Sequence, residues 1–324
     1  MEGIRHNRFS RMHAPALRGM LIPLLWILAC LLAAEVSASD RPAHITVLQS
    51  KAGGPYEKFT RAFTHDLDAG KVTTPVSILI AGEEASARLE RFDAGDLLVT
   101  VGTGATQSAI RSGTSASILS VLVPRYAVEQ FKPAPRMASR LTYIYLDQPL
   151  SRCLALTRLV LPRAAEIGVL LGPVSAVEEP ALRNAAQASH LKLRVANMAP
   201  GADTPLPALA TLLDRADVLL ALPDASVYNR YSLSPLLLTT FRYRIPVIGY
   251  SAALVHAGAI AGVYSTPEQI ARQAAELVQK PVSPARGVYP RYFEVGLNPD
   301  VARALDIPLP DKADLERQLR QVAP

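Results

Sequence analysis

The chain has 324 residues, of which 49% are hydrophobic and 19% are charged. This composition excludes a disordered chain, and the length suits two domains of ordinary size. The net charge is +6, and it falls to +4 without the first 38 residues, which hold four Arg and two Glu. Because the remaining arginines are scattered among apolar residues, the charge indicates a solvated surface and argues against nucleic-acid binding.

The first 38 residues are typical of a secretory signal. Four arginines make the start positive, Met20–Ala34 is almost wholly apolar, and Val36–Ala38 supplies small residues for cleavage. We predict cleavage after Ala38 and export to the periplasm. Two alternatives stay open. An uncleaved anchor is disfavoured because the apolar run of about 15 residues falls short of the roughly 20 that span a bilayer. Lipidation at Cys30 is disfavoured because the apolar run continues past it.

Short apolar runs alternate with amphipathic segments in the first half of the chain. The runs 44–50, 76–80, 97–101 and 118–123 are predicted strands, and 141–146 is a fifth strand or a connection between lobes. Helices are predicted at 55–69, at 83–92 and from about 106.

The same alternation starts again in the second half. Strands are predicted at 166–171, 193–198, 218–222, 246–249, 260–264 and 292–297, and helices at 149–161, 176–189, 206–214, 226–244 and 299–307. A further helix begins after Thr266, with Pro267 in its first turn and Gln269 at the capping-box position. We predict that 308–324 is a surface tail. Strands of unbroken Val, Ile and Leu between helices indicate parallel sheets, and two sets indicate two α/β lobes.

Motifs of catalysis and of cofactor or metal binding are missing. The four His residues after the signal stand at no metal-ligand spacing. A dinucleotide fingerprint would need a third glycine where Gln107 stands, and a nucleophile elbow would need glycine at Ala253. No phosphate-binding loop of the Gly-Lys-Ser type occurs. We therefore predict neither an enzyme nor a bound cofactor or metal.

Small polar residues follow five of the predicted buried strands. In open α/β sheets this is the edge where ligands bind. Glycines there let a ligand approach the backbone, and helix starts suit a carboxylate or another anion. Asp224 has a second interpretation, because it can simply cap the following helix. The candidate ligand-binding residues are Gln49, Ser50, Thr103, Gly104, Ser175, Asp224, Ser226, Tyr250 and Ser251.

The order of elements resembles the type I periplasmic binding proteins. It is similar in particular to the ABC transporter substrate-binding family that includes aromatic amino-acid binders. The stretches that carry the resemblance are DLLVTVGTGATQSAI, AAEIGVLLGPVSAVEEPAL, DVLLALPDASVYN, IPVIGYSAALVHAGAIAGVYSTPEQIARQAAEL and YFEVGLNPDVARALDI. The chain departs from the family at Thr103-Gly104, where a Thr-Pro is usual, at Val123-Pro124-Arg125, where a Thr-Asp-Pro is usual, and at Ala225, where an Asn is usual.

The resemblance implies two doubly wound parallel-sheet lobes joined by a three-strand hinge, with the ligand in the cleft. Lobe one would comprise 41–145 plus 266–282, and lobe two 146–265 plus 283–307. Eight of the nine candidate residues, all except Ser50, would lie at the cleft. If the ligand is an amino acid or a similar small anion, Asp224 would meet its ammonium group and the Thr103 loop its carboxylate.

Two functions fit these expectations. The first is the substrate-binding component of an ABC-type importer, whose partner would be a membrane permease. The second is a periplasmic sensor subunit that reports its ligand to a membrane signalling partner.

Overall fold

The computed structural model describes residues 42–279 and 287–322, so the predicted signal and Cys30 lie outside the described residues. The strands, in chain order, are β1 (Ile45–Gln49), β2 (Val76–Ile80), β3 (Leu97–Val101), β4 (Ser117–Val123), β5 (Leu141–Tyr145), β6 (Glu166–Leu171), β7 (Lys192–Asn197), β8 (Val218–Leu220), β9 (Val247–Gly249), β10 (Ala261–Tyr264), β11 (Gly287–Val288) and β12 (Glu294–Leu297).

The helices are α1 (Gly54–Ala69), α2 (Glu83–Leu89), α3 (Thr103–Ser112), α4 (Arg125–Gln130), α5 (Pro135–Ala138), α6 (Leu150–Val160), α7 (Glu179–Ala188), α8 (Leu206–Ala210), α9 (Leu233–Arg242), α10 (Ala252–Ala257), α11 (Pro267–Gln279), α12 (Pro299–Ala304) and α13 (Lys312–Leu319). A 3-10 helix over Ser175–Glu178 precedes α7.

The strands form two six-stranded sheets. The first has the order β11-β5-β4-β3-β1-β2 and is parallel throughout. The second has the order β12-β10-β9-β8-β6-β7 and is parallel except for β12, which runs antiparallel to β10. Two α/β lobes built on parallel sheets confirm the predicted fold class.

Helices cover both faces of the first sheet. On one face, Phe59 and Phe63 of α1 stack at 5.6 Å and pack with Ile270 of α11. On the other face, Leu89 of α2 and Ala109 of α3 are fully buried. Burial on both faces explains why the central strands read as continuous apolar runs, with no alternation of polar residues.

Helices also cover both faces of the second sheet. Its core includes residues of the segment 308–324, which was predicted to be a surface tail. One face packs against α6, α7, α12 and α13, and the other against α8, α9 and α10. Residues 308–324 contain α13, whose Leu315 and Leu319 are fully buried. Because these two leucines lie one helical turn apart, they share the face that joins the core.

Two further boundaries differ from expectation. Residues 283–307 were expected in lobe two, but Gly287–Val288 pairs with β5 and so extends the first sheet. The helix predicted at 226–244 begins only at Leu233. A turn precedes this helix. The Ser232 hydroxyl donates to the Val227 carbonyl at 2.6 Å and so stabilises the turn.

Three segments connect the lobes, namely 146–149, 265–266 and 289–293. One hydrogen-bonded chain links all three. Gln148 donates from Nε2 to the Ser265 hydroxyl at 2.8 Å, and that hydroxyl donates to the Tyr292 carbonyl. The capping box predicted next to the second crossover is confirmed, since Thr266 and Gln269 exchange hydrogen bonds of 3.0 and 3.2 Å.

Candidate functional site

The ends of β1 and β3 are joined by Ser50. Its hydroxyl donates to the Val101 carbonyl and accepts from the Ala105 N–H, both at 2.9 Å. Gly102 has φ 91°, and a Cβ there would meet Ser50 Oγ at 2.7 Å and the Tyr56 ring at 2.6 Å. The turn after β3 therefore requires glycine. Ser50 thus holds the end of β1 against the turn that follows β3.

The residues around Ser50 differ in whether their polar groups are available to a ligand. Gln49 is buried and donates from Nε2 to the Thr60 hydroxyl of α1 at 2.7 Å, so its amide is engaged inside lobe one. Thr103 and Gly104 begin α3, whose N-cap residue Gly102 has no side chain to cap it. The Ala105 N–H is engaged by Ser50, which leaves the N–H groups of Thr103 and Gly104 as the first-turn donors that suit a carboxylate.

The end of β4 carries a bulge that aims two side chains toward lobe two. The register with β5 shifts between Val121 and Val123, and Leu122 between them has φ 54°. A left-handed conformation at a buried, non-glycine residue is a strained feature that surrounding structure must hold. The bulge is followed by Pro124 and then by Arg125 and Tyr126 at the start of α4.

Arg125 connects the two lobes. Its guanidinium pairs with Glu178 of the 3-10 helix in lobe two and with Glu129 of its own helix. Its N–H donates to Asp147 Oδ2 at 2.5 Å, which joins α4 to the first crossover. A second contact between the lobes runs from Gln130 Nε2 to the Val174 carbonyl at 3.1 Å.

Glu178 is only half satisfied by this pairing. Its side chain is 6% exposed, and its Oε1 is buried without a hydrogen-bond partner among the described residues. Burial raises the pKa of Glu178, while Arg125 opposes that rise. A buried carboxylate oxygen without a donor is costly, and a ligand with an N–H or ammonium group can remove that cost.

Three predicted residues of lobe two meet around Gly172. Ser175 Oγ accepts from the Gly172 N–H at 3.0 Å. Asp224 Oδ1 accepts from the N–H and the hydroxyl of Ser226, at 2.8 and 2.6 Å. Because a Cβ on Gly172 would lie 2.0 Å from Ser226 Oγ, the cluster requires glycine there. Asp224 does not cap a helix as the second interpretation expected, because the helix begins only at Leu233; its Oδ1 bonds instead to the turn that follows β8.

Asp224 keeps its other oxygen unused. The side chain is 3% exposed, and Oδ2 is buried with no hydrogen-bond partner in the described part of the chain. Across the cleft, burial raises the pKa of the Tyr126 phenol, and the charge of Asp224 adds to the rise. The chain neighbours of Asp224, Leu222 and Pro223, line the cavity described below, whereas Asp224 itself does not.

Tyr250 and Ser251 follow β9 and have different roles. The Tyr250 ring meets the Tyr228 ring edge-on at 5.9 Å, and burial raises the pKa of Tyr250 to about 12. Ser251 caps α10 by accepting from the Leu254 N–H at 3.2 Å. Tyr250 is thus uncharged at neutral pH and presents an aromatic ring and a hydroxyl, while the Ser251 hydroxyl is used to cap α10.

These elements enclose a cavity of about 30 Å³, here called the cleft pocket. In this conformation it has room for water only. Lobe one contributes Arg125 and Tyr126, the crossovers contribute Asp147, Gln148 and Tyr289, and lobe two contributes Leu150, Cys153, Ser175, Glu178, Ala221, Leu222, Pro223, Tyr250 and Val263. Burial raises the pKa of Asp147 to about 7 and that of Tyr289 to about 12.

Of the residues that line this pocket, only Ser175 and Tyr250 were candidates from sequence; those missed include Arg125, Tyr126, Asp147, Glu178 and Tyr289. Arg125 and Tyr126 follow β4 at the ligand-binding edge of the sheet, so their position carried a usable signal. Glu178 lies in a predicted helix and Asp147 in a connection. Only the packing of the lobes brings these two carboxylates together.

Other chemistries find little support in the described residues. Across 42–279 and 287–322, no group of three or more His, Cys, Asp or Glu side chains could hold a metal ion. Burial raises the pKa of the Cys153 thiol to about 12, so it is protonated at neutral pH and a poor nucleophile. None of the helices within those ranges has both the length and the apolar character needed to cross a membrane.

Comparison with solved structures supports the fold. A substrate-binding protein with adhesive properties from Clostridium difficile, solved ligand-free and open, superposes with a TM-score of 0.63 at 17% identity, covering 83% of this chain and 96% of that one. A conserved domain protein from Vibrio cholerae gives 0.60 at 22% identity, with 86% and 98% covered. An ABC domain in complex with L-Trp from Streptococcus pneumonia gives 0.59 at 14% identity, with 84% and 98% covered.

At these identities the similarity establishes the type I periplasmic binding protein fold and nothing finer. No protein-family model matches the sequence. No curated protein matches it either.

Proposed function

We propose that the chain is an exported solute-binding protein that closes two lobes on a small ligand, as the substrate-binding component of an ABC-type importer. The observation that carries the proposal is a pair of buried carboxylate oxygens without a partner among the described residues: Glu178 Oε1, whose residue lines the cleft pocket, and Asp224 Oδ2, whose residue directly follows the lining residue Pro223. The solved structures support it, since the C. difficile neighbour is a substrate-binding protein and the S. pneumonia neighbour holds L-Trp.

The ligand we infer carries an ammonium or related cationic group. Two buried carboxylates with free oxygens favour such a group, and the rings of Tyr126 and Tyr250 can contact it and any apolar part. The start of α3 at Thr103 and Gly104 can receive a carboxylate. An amino acid with a free α-amino group is the simplest molecule that satisfies both sides of the cleft.

A thermal-shift screen tests this proposal. The panel holds the amino acids and simple amines, each with its deaminated counterpart as a control. A ligand at 100 times its dissociation constant stabilises the folded state by about 2.7 kcal/mol. We expect at least one amine to raise the melting temperature and its deaminated counterpart to have no effect. A panel without any shift, or equal shifts for both members of a pair, would reject the proposed ligand class.

Variants then locate the site. Glu178→Gln and Asp224→Asn keep the shape of the side chain and remove its charge. Each should weaken binding of the amine by about tenfold or more, which is about 1.4 kcal/mol. Glu179→Gln is the matched control, because Glu179 adjoins Glu178 in the chain but pairs with Arg183 of its own helix at 3.0 Å. Uptake of the amine by a deletion strain separates import from sensing, since a sensor subunit binds the ligand without being needed for its uptake.

A further inference from the structure

A second cavity, here called the hinge cavity, lies beside the third crossover. Its volume is about 940 Å³. It is lined by Arg152, Gln269, Gly287, Val288, Tyr289, Pro290, Arg291, Tyr292, Phe293, Arg320 and Val322. Tyr289 borders both this cavity and the cleft pocket, but none of the unpartnered carboxylates of the cleft lines it.

Arg152 is the unusual residue of the hinge cavity. Its side chain is 6% exposed, and its guanidinium lies 4.3 Å from the centre of the Phe293 ring. Nη1 donates to Gln148 Oε1 at 2.7 Å and to the Pro290 carbonyl at 3.2 Å. These two bonds tie the first crossover to the third. Within the described ranges Arg152 forms no ion pair, and its buried Nε has no hydrogen-bond partner.

The other arginines of the cavity differ from Arg152 in this respect. Arg291 pairs with Glu276, and Arg320 pairs with Glu316. Burial lowers the pKa of Arg152, and no carboxylate offsets that effect. A buried cation without a counter-charge is costly, so proteins usually pair it. The positive charge of Arg152 is thus the one at this cavity that the described residues leave uncompensated.

We propose that the hinge cavity binds a small oxyanion, a carboxylate or phosphate group, against Arg152. Both hydrogen bonds that Arg152 donates to described residues leave from Nη1. The edge formed by Nε and Nη2 is the edge that can hold two oxygens of one carboxylate or phosphate at once, and because Nε is buried, the guanidinium has to turn to present this edge to the cavity. This site is separate from the proposed ligand site in the cleft, and it takes a group of the opposite charge.

Binding of two defined anions to the full chain tests the proposal. Inorganic phosphate and succinate are each titrated by equilibrium dialysis and by thermal shift, with chloride at matched ionic strength as the reference. Phosphate binding alone indicates a phosphate ligand, and succinate binding alone indicates a carboxylate ligand. If neither anion binds above the chloride reference, the proposal is wrong.

Three variants assign the binding to Arg152. Arg152→Met removes the charge and should lower the affinity more than tenfold. Arg158→Met is the matched control, because Arg158 lies on the same helix and is exposed; it should bind as the wild type does. Unchanged affinity in Arg152→Met would overturn the assignment.

If Arg152→Met does not fold because the hydrogen bonds to Gln148 and Pro290 are lost, Arg152→Lys tests whether Arg152 binds the anion. Lysine keeps the charge but lacks the two-donor edge, so the affinity should fall several-fold. Affinity equal to that of the wild type would show that the edge is not the binding group. Failure at this site leaves the cleft proposal untouched, because the screen for amines is read without phosphate or succinate.

Discussion

The cleft pocket and the hinge cavity share Tyr289 but lie next to side chains of opposite charge. Near the cleft pocket, Glu178 Oε1 and Asp224 Oδ2 are buried without a hydrogen-bond partner among the described residues; at the hinge cavity, Arg152 has no ion pair and its Nε no acceptor among those residues. Each buried polar atom without a partner costs the folded chain free energy that a ligand of the opposite charge removes. The crossovers thus separate two chemical environments, and the buried atoms without partners distinguish them better than pocket size does.

The two sides of the cleft differ as well. Lobe one offers the start of α3, whose N-cap Gly102 has no side chain. The Ser50 hydroxyl beside it already bonds to Val101 and Ala105. Lobe two offers Asp224 with one oxygen engaged and one free. A ligand with a carboxylate at one end and an ammonium at the other matches this asymmetry.

The largest expected effect comes from breaking the ion pair between the lobes. Arg125→Met leaves Glu178 buried without its cation, and we expect a loss of about 2–4 kcal/mol in the free energy of unfolding. Urea denaturation measures it. Glu129→Gln removes only the exposed partner of Arg125 and should cost less than about 0.5 kcal/mol. Equal losses in the two variants would show that the contact between the lobes contributes nothing specific.

Asp147 predicts a pH dependence. Burial raises the pKa of this carboxyl to about 7, whereas in the unfolded chain it is near the ordinary value of about 3.9. Between these values the folded state holds a proton that the unfolded state lacks. The stability due to neutral Asp147 is therefore present at low pH and lost as the pH rises through about 7.

The comparison is made with Asp147→Asn. From pH 5 to pH 8, the wild type should lose about 1–3 kcal/mol of unfolding free energy relative to this variant. Urea midpoints at several pH values provide the measurement. Parallel curves for the two proteins would mean that Asp147 does not titrate in this range.

Much of the fold could be predicted from sequence because its signals are local. The central strands are rich in Val, Ile and Leu, and the cap at Thr266 is seen as predicted. The two-residue strand β11 gives no periodic signal, and the buried face of α13 rests on only two leucines. These elements depend on neighbours far away in sequence.

The candidate site was predictable in part for the same reason. Thr103, Gly104, Asp224 and Tyr250 follow strands at the expected edge. Gln49 and Ser251 lie there too, but Thr60 and a helix start engage their side chains. Arg125 and Glu178 are 53 residues apart, so no local sequence pattern predicts that they pair.

The smallest expected effect tests the chain of hydrogen bonds between the crossovers. Ser265→Ala removes the acceptor of Gln148 and the donor to Tyr292, and we expect a loss of about 1 kcal/mol. Ser139→Ala serves as the control, because its hydroxyl bonds only to an exposed carbonyl of its own turn. A loss no larger than that of the control would mean that this chain does not hold the crossovers together.

We expect the carboxylates of Glu178 and Asp224 to bind the cationic group of the ligand. Calorimetric titration of the best amine from the panel into wild type, Asp224→Asn, Glu178→Gln and Glu179→Gln measures this. The affinity should be at least about tenfold weaker in Asp224→Asn and Glu178→Gln and unchanged in Glu179→Gln. Wild-type affinity in both Asp224→Asn and Glu178→Gln would show that these carboxylates do not bind the ligand.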